Sequence, residues 1–175
     1  MLKYSNVQVT FGEVPSEVTL CINITGCPVH CPDCHSKYLW EDIGDWLDGR
    51  SLSQLIEANK GITCVSFMGG DNDPEKIYNL AEFIKRHYDL KVCWYSGMPL
   101  RADFPKQVFD YIKTGSYKKE LGGLDSPTTN QRFYAIRTKE IKNIKGEVIS
   151  SYRYLEDDTH KFWKNYEIRN SQDDE

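Results

Sequence analysis

Three cysteines stand at spacing C-x3-C-x2-C in CPVHCPDCHSKYLW, residues 27–40: Cys27, Cys31 and Cys34. Thiolates are soft ligands that suit zinc or iron-sulfur clusters. A structural zinc site takes four ligands, normally in two well-separated pairs. No second pair exists in this chain, and His30 and His35 lie inside the same short loop, where closing a tetrahedron would strain it. A [4Fe-4S] cluster held by three cysteines leaves one iron open to a substrate or cofactor. The spacing therefore favours an iron-sulfur cluster over zinc, and either over three unligated thiols. Cys21, Cys64 and Cys93 are scattered through apolar runs and read as small hydrophobes.

Three other stretches carry groups that can bind a ligand. In SFMGGD, residues 66–71, Met68 precedes Gly69 and Gly70, which allow close backbone approach, and Asp71 adds an acceptor. Such a turn suits the ammonium group of an amino-acid-like ligand, although a Gly-Gly pair is also an ordinary turn. WYSG, residues 94–97, ends in a hydroxyl donor and a glycine, Ser96 and Gly97. SPTTNQR, residues 126–132, offers Asn130, Gln131 and Arg132 in a loop that serves ligand or partner recognition, or is simply solvated. No triad or carboxylate pair suggests side-chain acid-base catalysis, and Lys118, Lys119 and Glu120 read as a charged face.

The elements that must position these residues alternate. Residues 18–24, 62–68 and 90–95 are apolar runs of strand length, each closed by a small-residue turn. Between them, 51–59 reads as a short helix capped by Ser51, and Asp73-Pro74 opens a helix to about His87. Residues 105–113 read as a further helix, 132–136 as an edge strand, and 141–155 as containing a hairpin that turns at Lys145-Gly146. Strand-helix alternation implies right-handed βαβ units and a parallel sheet, whose ligands gather at the carboxyl ends of the strands. The cysteine loop and both glycine turns follow such ends.

With 175 residues and 39% hydrophobic content, the chain suits one domain, 1–175, with a core over about 15–135. No motif falls in 137–175, and SQDDE at the end reads as frayed. A net charge of -4 with interspersed signs argues against nucleic-acid binding. No apolar stretch approaches the roughly 18 residues of a membrane span, and no signal peptide opens the chain. The expectation is a cytoplasmic protein whose clustered cysteines serve a metal rather than disulfides.

In combining C-x3-C-x2-C after one strand with a Gly-Gly-acid turn after the next, the sequence resembles the radical S-adenosylmethionine superfamily. Cys34-His35, Trp40, Met68-Gly69-Gly70-Asp71, the short chain and the late Asn130-Gln131-Arg132 narrow the resemblance. They are similar to the activating enzymes of glycyl-radical enzymes, those of anaerobic (class III) ribonucleoside-triphosphate reductases in particular. The resemblance covers roughly residues 15–135.

The resemblance implies that Cys27, Cys31 and Cys34 ligate a [4Fe-4S] cluster whose fourth iron binds the amino and carboxylate groups of S-adenosylmethionine. The Gly69-Gly70-Asp71 turn would hold the methionyl amino group, with Met68, His35, Ser96 and Gly97 near the cofactor. One electron, from a flavodoxin or ferredoxin, would cleave the S–C5′ bond to methionine and a 5′-deoxyadenosyl radical. That radical would take a hydrogen from a glycine of the partner reductase. Two positions depart from the usual pattern: Asp33 stands where an aromatic is common, and Asp71 where Glu is.

A complete eight-stranded barrel takes roughly 250 residues. The expected fold is therefore α/β, a partial, open (βα)-barrel with parallel strands, open towards a macromolecular substrate. The alternatives are another small radical S-adenosylmethionine enzyme, such as a different activase or one similar to 7-carboxy-7-deazaguanine synthase, and a zinc-binding interaction module.

Overall fold

The computed structural model describes residues 1–163, so the end expected to fray lies outside the described residues. Their strands are β1 (Leu2–Thr10), β2 (Thr19–Ile24), β3 (Asp45–Leu47), β4 (Cys64–Met68), β5 (Lys91–Tyr95), β6 (Tyr111–Thr114), β7 (Arg132–Lys142) and β8 (Val148–Asp157). They form one sheet in the order β3-β1-β2-β4-β5-β6-β7-β8. The centre, β2-β4-β5-β6, is parallel. β1 and β3 on one side, and β7 and β8 on the other, are antiparallel. The fold is thus mixed α/β, parallel in part, and the expectation of parallel strands holds for the centre alone.

Two α-helices connect the central strands. α1 (Gly49–Ala58) starts earlier than Ser51: its N-cap is Asp48, which accepts from the Arg50 and Ser51 amides, while the Ser51 hydroxyl accepts from the Asp48 amide. This is a reciprocal capping box, with Ser51 as its inner member. α2 (Pro74–His87) has the expected bounds. Asp73 caps it, Pro74 opens it, and Ile77, Leu80, Ala81 and Ile84 make its buried stripe.

The helix expected over 105–113 is absent. Phe104, Val108 and Phe109 are buried in an irregular connection, and Tyr111–Thr114 is a strand parallel to β5. Asp110 decides the outcome: its carboxylate accepts from the Val92 amide at 2.8 Å and pairs with Lys85 of α2. A side chain tied to two other elements fixes the chain where a helix would have needed it free. The strand expected at 132–136 continues to Lys142 but is not an edge strand: β8 pairs along it and takes the edge, because the hairpin folds back over 143–147, where Asn143 Oδ1 accepts from the Lys145 and Glu147 amides.

Alternation divides the central strands between two faces. Leu20, Ile22, Ile24, Val65, Phe67, Val92, Trp94 and Ile112 pack with α1 and α2 into one apolar core. Cys64, Cys93, Tyr111, Phe133 and Ala135 form a second cluster with Val14. The candidate site stands on this second face.

Candidate iron-sulfur site

The cysteine loop leaves the end of β2 and is tied back at its base. The Gly26 and Cys27 amides donate to the carbonyls of Glu41 and Leu39 at 3.0 and 2.9 Å. Thr25 bonds to Lys3 of β1 through its amide and to the Ile43 carbonyl through its hydroxyl. Residues 26–41 are therefore a closed excursion anchored to a strand that the sequence reading missed. Inside it, the Cys34 amide donates to the Cys31 carbonyl at 3.0 Å, and the Ser36 amide donates to Cys34 Sγ at 3.4 Å. His30 takes a left-handed φ of 48° and stacks on Trp40 with ring centroids 4.7 Å apart. That stack accounts for Trp40 and helps hold a backbone conformation unusual outside glycine. All three cysteines are half-buried.

The neighbouring turns follow β4 and β5. Gly70 has a φ of 92°, and a Cβ there would lie 2.5 Å from Ile77 Cδ1, so α2 can start only over a glycine. The indole of Trp94 donates to the Gly69 carbonyl at 2.8 Å and braces the turn from the helix side. Asp71 turns towards the next strand end: Oδ1 accepts from Ser96 Oγ at 2.5 Å and Oδ2 from the Gly97 amide at 2.8 Å.

These parts surround a cavity of about 920 Å³, which Cys27, Cys34, His35, Met68, Gly69, Asp71, Ser96 and Gly97 help to line. Strand register supplies its floor: Asn23 is opposite Met68, Met68 opposite Tyr95, and Tyr95 opposite Lys113. All four side chains of this row line the cavity. The row beneath is Cys21, Ser66, Cys93 and Tyr111. Burial pushes the Cys21 thiol up to about 11 and raises the Cys64 and Cys93 thiols as well. These three remain protonated packing groups, in agreement with their reading as small hydrophobes.

Lys113 is the functional candidate that the sequence did not reveal. Its residue is 9% exposed, and its ammonium donates to the Gly115 carbonyl at 2.6 Å. Burial lowers its pKa to about 8, against the opposing pull of Cys31, Asp71, Cys27 and Cys34. One buried cation thus shares the cavity with Cys27, Cys34 and the acid of the turn. The alternation of Tyr111 and Lys113 on one face was the available signal, and the expectation of a helix hid it.

The late loop meets the same cavity. Gln131 is buried, lines it, and donates to the Gly115 carbonyl at 3.3 Å. Asn130 donates to the Ser116 carbonyl, and Arg132 to the carbonyls of Thr129 and Gln131. Of these three residues, only Gln131 faces the cavity. Tyr117, earlier in the same connection between β6 and β7, reaches His35, with ring centroids 5.3 Å apart.

A family model described as "4Fe-4S single cluster domain" matches residues 17–115, which is more than half of the chain. The chain belongs to that family. No curated protein and no solved structure shows a significant match. The matched span holds Cys27, Cys31 and Cys34, the Gly-Gly-Asp turn, Ser96-Gly97 and Lys113, and it makes this an iron-sulfur protein.

The donor set fits such a group. Among the described residues, no three His, Cys, Asp or Glu side chains converge closely enough to hold a single metal ion. A cubane cluster instead takes each thiolate on a separate iron, further apart than ligands to one ion. The three half-buried thiols on one looped segment are free of disulfides, so each is available to a separate iron. No helix of the described residues is long and apolar enough to cross a membrane.

Proposed function

We propose that the chain is a radical S-adenosylmethionine activase that generates the glycyl radical of an anaerobic ribonucleoside-triphosphate reductase. The observation that carries this reading is the meeting of Cys27 and Cys34 of the cysteine loop, Gly69 and Asp71 of the glycine turn, and the buried Lys113 around one cavity at the carboxyl ends of parallel strands, with Cys31 in the same loop outside the lining. In this reading the sheet acts as a partial, open barrel whose uncovered side admits the glycine loop of a large partner.

Cys27, Cys31 and Cys34 would hold the [4Fe-4S] cluster. Such a cluster would supply one-electron chemistry: an electron from a flavodoxin or ferredoxin would split S-adenosylmethionine into methionine and a 5′-deoxyadenosyl radical. The protein's own part is to bind, orient and exclude. The Gly69-Gly70 turn presents backbone to the methionyl amino group. The Lys113 ammonium offsets the negative charge of the thiolates and attracts the methionyl carboxylate. Met68 and His35 flank the cofactor. No side chain needs to move a proton, because hydrogen-atom abstraction from glycine yields 5′-deoxyadenosine directly.

Anaerobic reconstitution with iron and sulfide, followed by electron paramagnetic resonance of the reduced protein, tests the proposal. A [4Fe-4S] signal that changes on adding S-adenosylmethionine, with 5′-deoxyadenosine formed, supports cofactor cleavage. A glycyl-radical signal on added reductase establishes the partner. Cleavage without that signal redirects the reading to another radical S-adenosylmethionine enzyme, and a colourless protein retaining zinc overturns it.

A further inference from the structure

The cysteine loop meets the two turns beside it through two close approaches. A Cβ on Gly97 would lie 2.8 Å from Val29 Cγ2, so the backbone at Gly97 is the seat of Val29. Val29 lies between Cys27 and Cys31. A Cβ on Gly26 would likewise lie 2.8 Å from Asn72 Nδ2, the side chain that follows Asp71. The loop is thus held by contacts from the turn after β4 and from the turn after β5.

Asp71 joins those two turns. Its oxygens accept from Ser96 Oγ at 2.5 Å and from the Gly97 amide at 2.8 Å, and Ser96 Oγ accepts in turn from the Met98 amide at 3.0 Å. The Ser96 amide donates to the Lys113 carbonyl at 2.8 Å, which fixes the same turn to β6. With both oxygens engaged by the turn after β5, the carboxylate of Asp71 is committed to the scaffold.

We propose that Asp71 is a positioning residue: its carboxylate clasps Ser96 and Gly97 so that Gly97 seats Val29, and with it the loop bearing Cys27, Cys31 and Cys34. The inference rests on those cysteines as cluster ligands, not on the reaction that follows. It separates two roles within the turn, leaving contact with a ligand to the glycine backbone and giving the acid the task of holding the cysteine loop.

The test pairs amide hydrogen exchange of the apo-protein with the iron retained by the reconstituted protein under a chelator challenge. Asp71→Ala should speed exchange over residues 27–34 and at Gly97 by about tenfold, the scale of one lost hydrogen bond whose partner is left unpaired, and lower retained iron. Asp71→Asn keeps an acceptor for the Gly97 amide and a partner for Ser96 Oγ, and should stay close to the parent in both readouts. Gly97→Val leaves Asp71 intact but displaces Val29, and should reproduce the iron loss; adding Val29→Ala should restore part of it. Should Asp71→Ala fail to fold, Ser96→Ala removes one of the two bonds and should give a smaller change in the same direction.

Parent-like exchange and iron retention in Asp71→Ala, or in Ser96→Ala where that variant stands in, overturns the clasp. Equal loss in Asp71→Asn and Asp71→Ala also overturns it, because charge rather than geometry would then be what Asp71 supplies. Failure of the parent to cleave S-adenosylmethionine while its iron retention follows this pattern overturns the proposed reaction and leaves the clasp standing.

Discussion

On the helix-covered face of the sheet, Leu20, Ile22, Ile24, Val65, Phe67 and Val92 meet α1 and α2 with no polar side chain among them; on the other face, cysteines, tyrosines, Ser66 and Lys113 stand in the same strands one residue away. The first face is held by apolar burial, which is non-directional and tolerates substitution of similar volume. The second is held by specific partners. Glu17 is buried at its lower end and accepts from Thr63 Oγ1 at 2.6 Å and the Tyr111 hydroxyl at 2.7 Å while paired with Lys91. Its upper end carries a buried ammonium in the cavity that Cys27 and Cys34 line. The difference teaches that one face supplies stability and the other gives some of it up to hold chemistry.

The largest effect should come from the helix-covered face. Phe67→Ala should cost about 3–5 kcal/mol, as fully buried Phe truncations do, measured by denaturant unfolding. The same variant should keep its full iron content per folded molecule. Loss of iron there would show that the two faces are not separable.

Lys113→Met should have effects of opposite sign on the two properties. The buried lysine titrates at about 8 rather than its ordinary 10.5. Its charged form is therefore paid for by folding, and the cost is full below about pH 8 and fades as pH rises towards 10.5. Removing the charge should stabilise the apo-protein by about 3 kcal/mol at neutral pH, and by progressively less above pH 8. Affinity for S-adenosylmethionine, measured by calorimetry on the reconstituted protein, should fall. A destabilised Lys113→Met would mean that the ammonium is structural, and the contrast between faces would fail.

Glu17→Gln sharpens the comparison through pH. Burial pushes the Glu17 carboxyl up, but hydrogen bonds from Lys91, Thr63 and Tyr111 outweigh it and hold the group below its ordinary value. Such a carboxylate stabilises the fold above the unfolded pKa of about 4.5, and that contribution is lost as pH falls through the folded value. Glu17→Gln should cost about 1–3 kcal/mol at pH 7 and flatten the fall of stability in acid, followed by thermal melts across pH. An unchanged acid limb would place the acid-sensitive group elsewhere.

The smallest effect should be that of Cys93→Ala, about 1 kcal/mol for a small buried side chain, with iron content unaffected. Iron loss in this variant comparable to that of Cys31→Ala would move Cys93 from the row beneath the site into its ligand set.

Much of this was legible locally. α2 follows from Asp73-Pro74 and a stripe at helical spacing, and β2, β4 and β5 from short apolar runs. What escaped was decided by distant partners. Leu2–Thr10 is a strand because β2 and β3 pair with it, and its own alternation is weak. Residues 105–113 carry apolar residues that suit a helix, but Asp110 is held by Val92 and Lys85, and Tyr111–Thr114 completes the parallel centre. Ser51 was legible as a capping residue, but its place in the box depended on Asp48, three positions earlier.

The sequence by itself pointed to iron-sulfur chemistry, which the family match supports, because a thiolate's softness and the spacing C-x3-C-x2-C are local properties that need no fold to be read. It also determined that the loop and both glycine turns follow strands. Tertiary structure alone decided that Asn23, Met68, Tyr95 and Lys113 share one row, because register between strands is set by pairing across long separations and a one-residue slip would send every side chain to the other face. It alone decided that Asp71 faces Ser96 and Gly97, since nothing within the turn distinguishes an acid that waits for a ligand from one already spent on its neighbour.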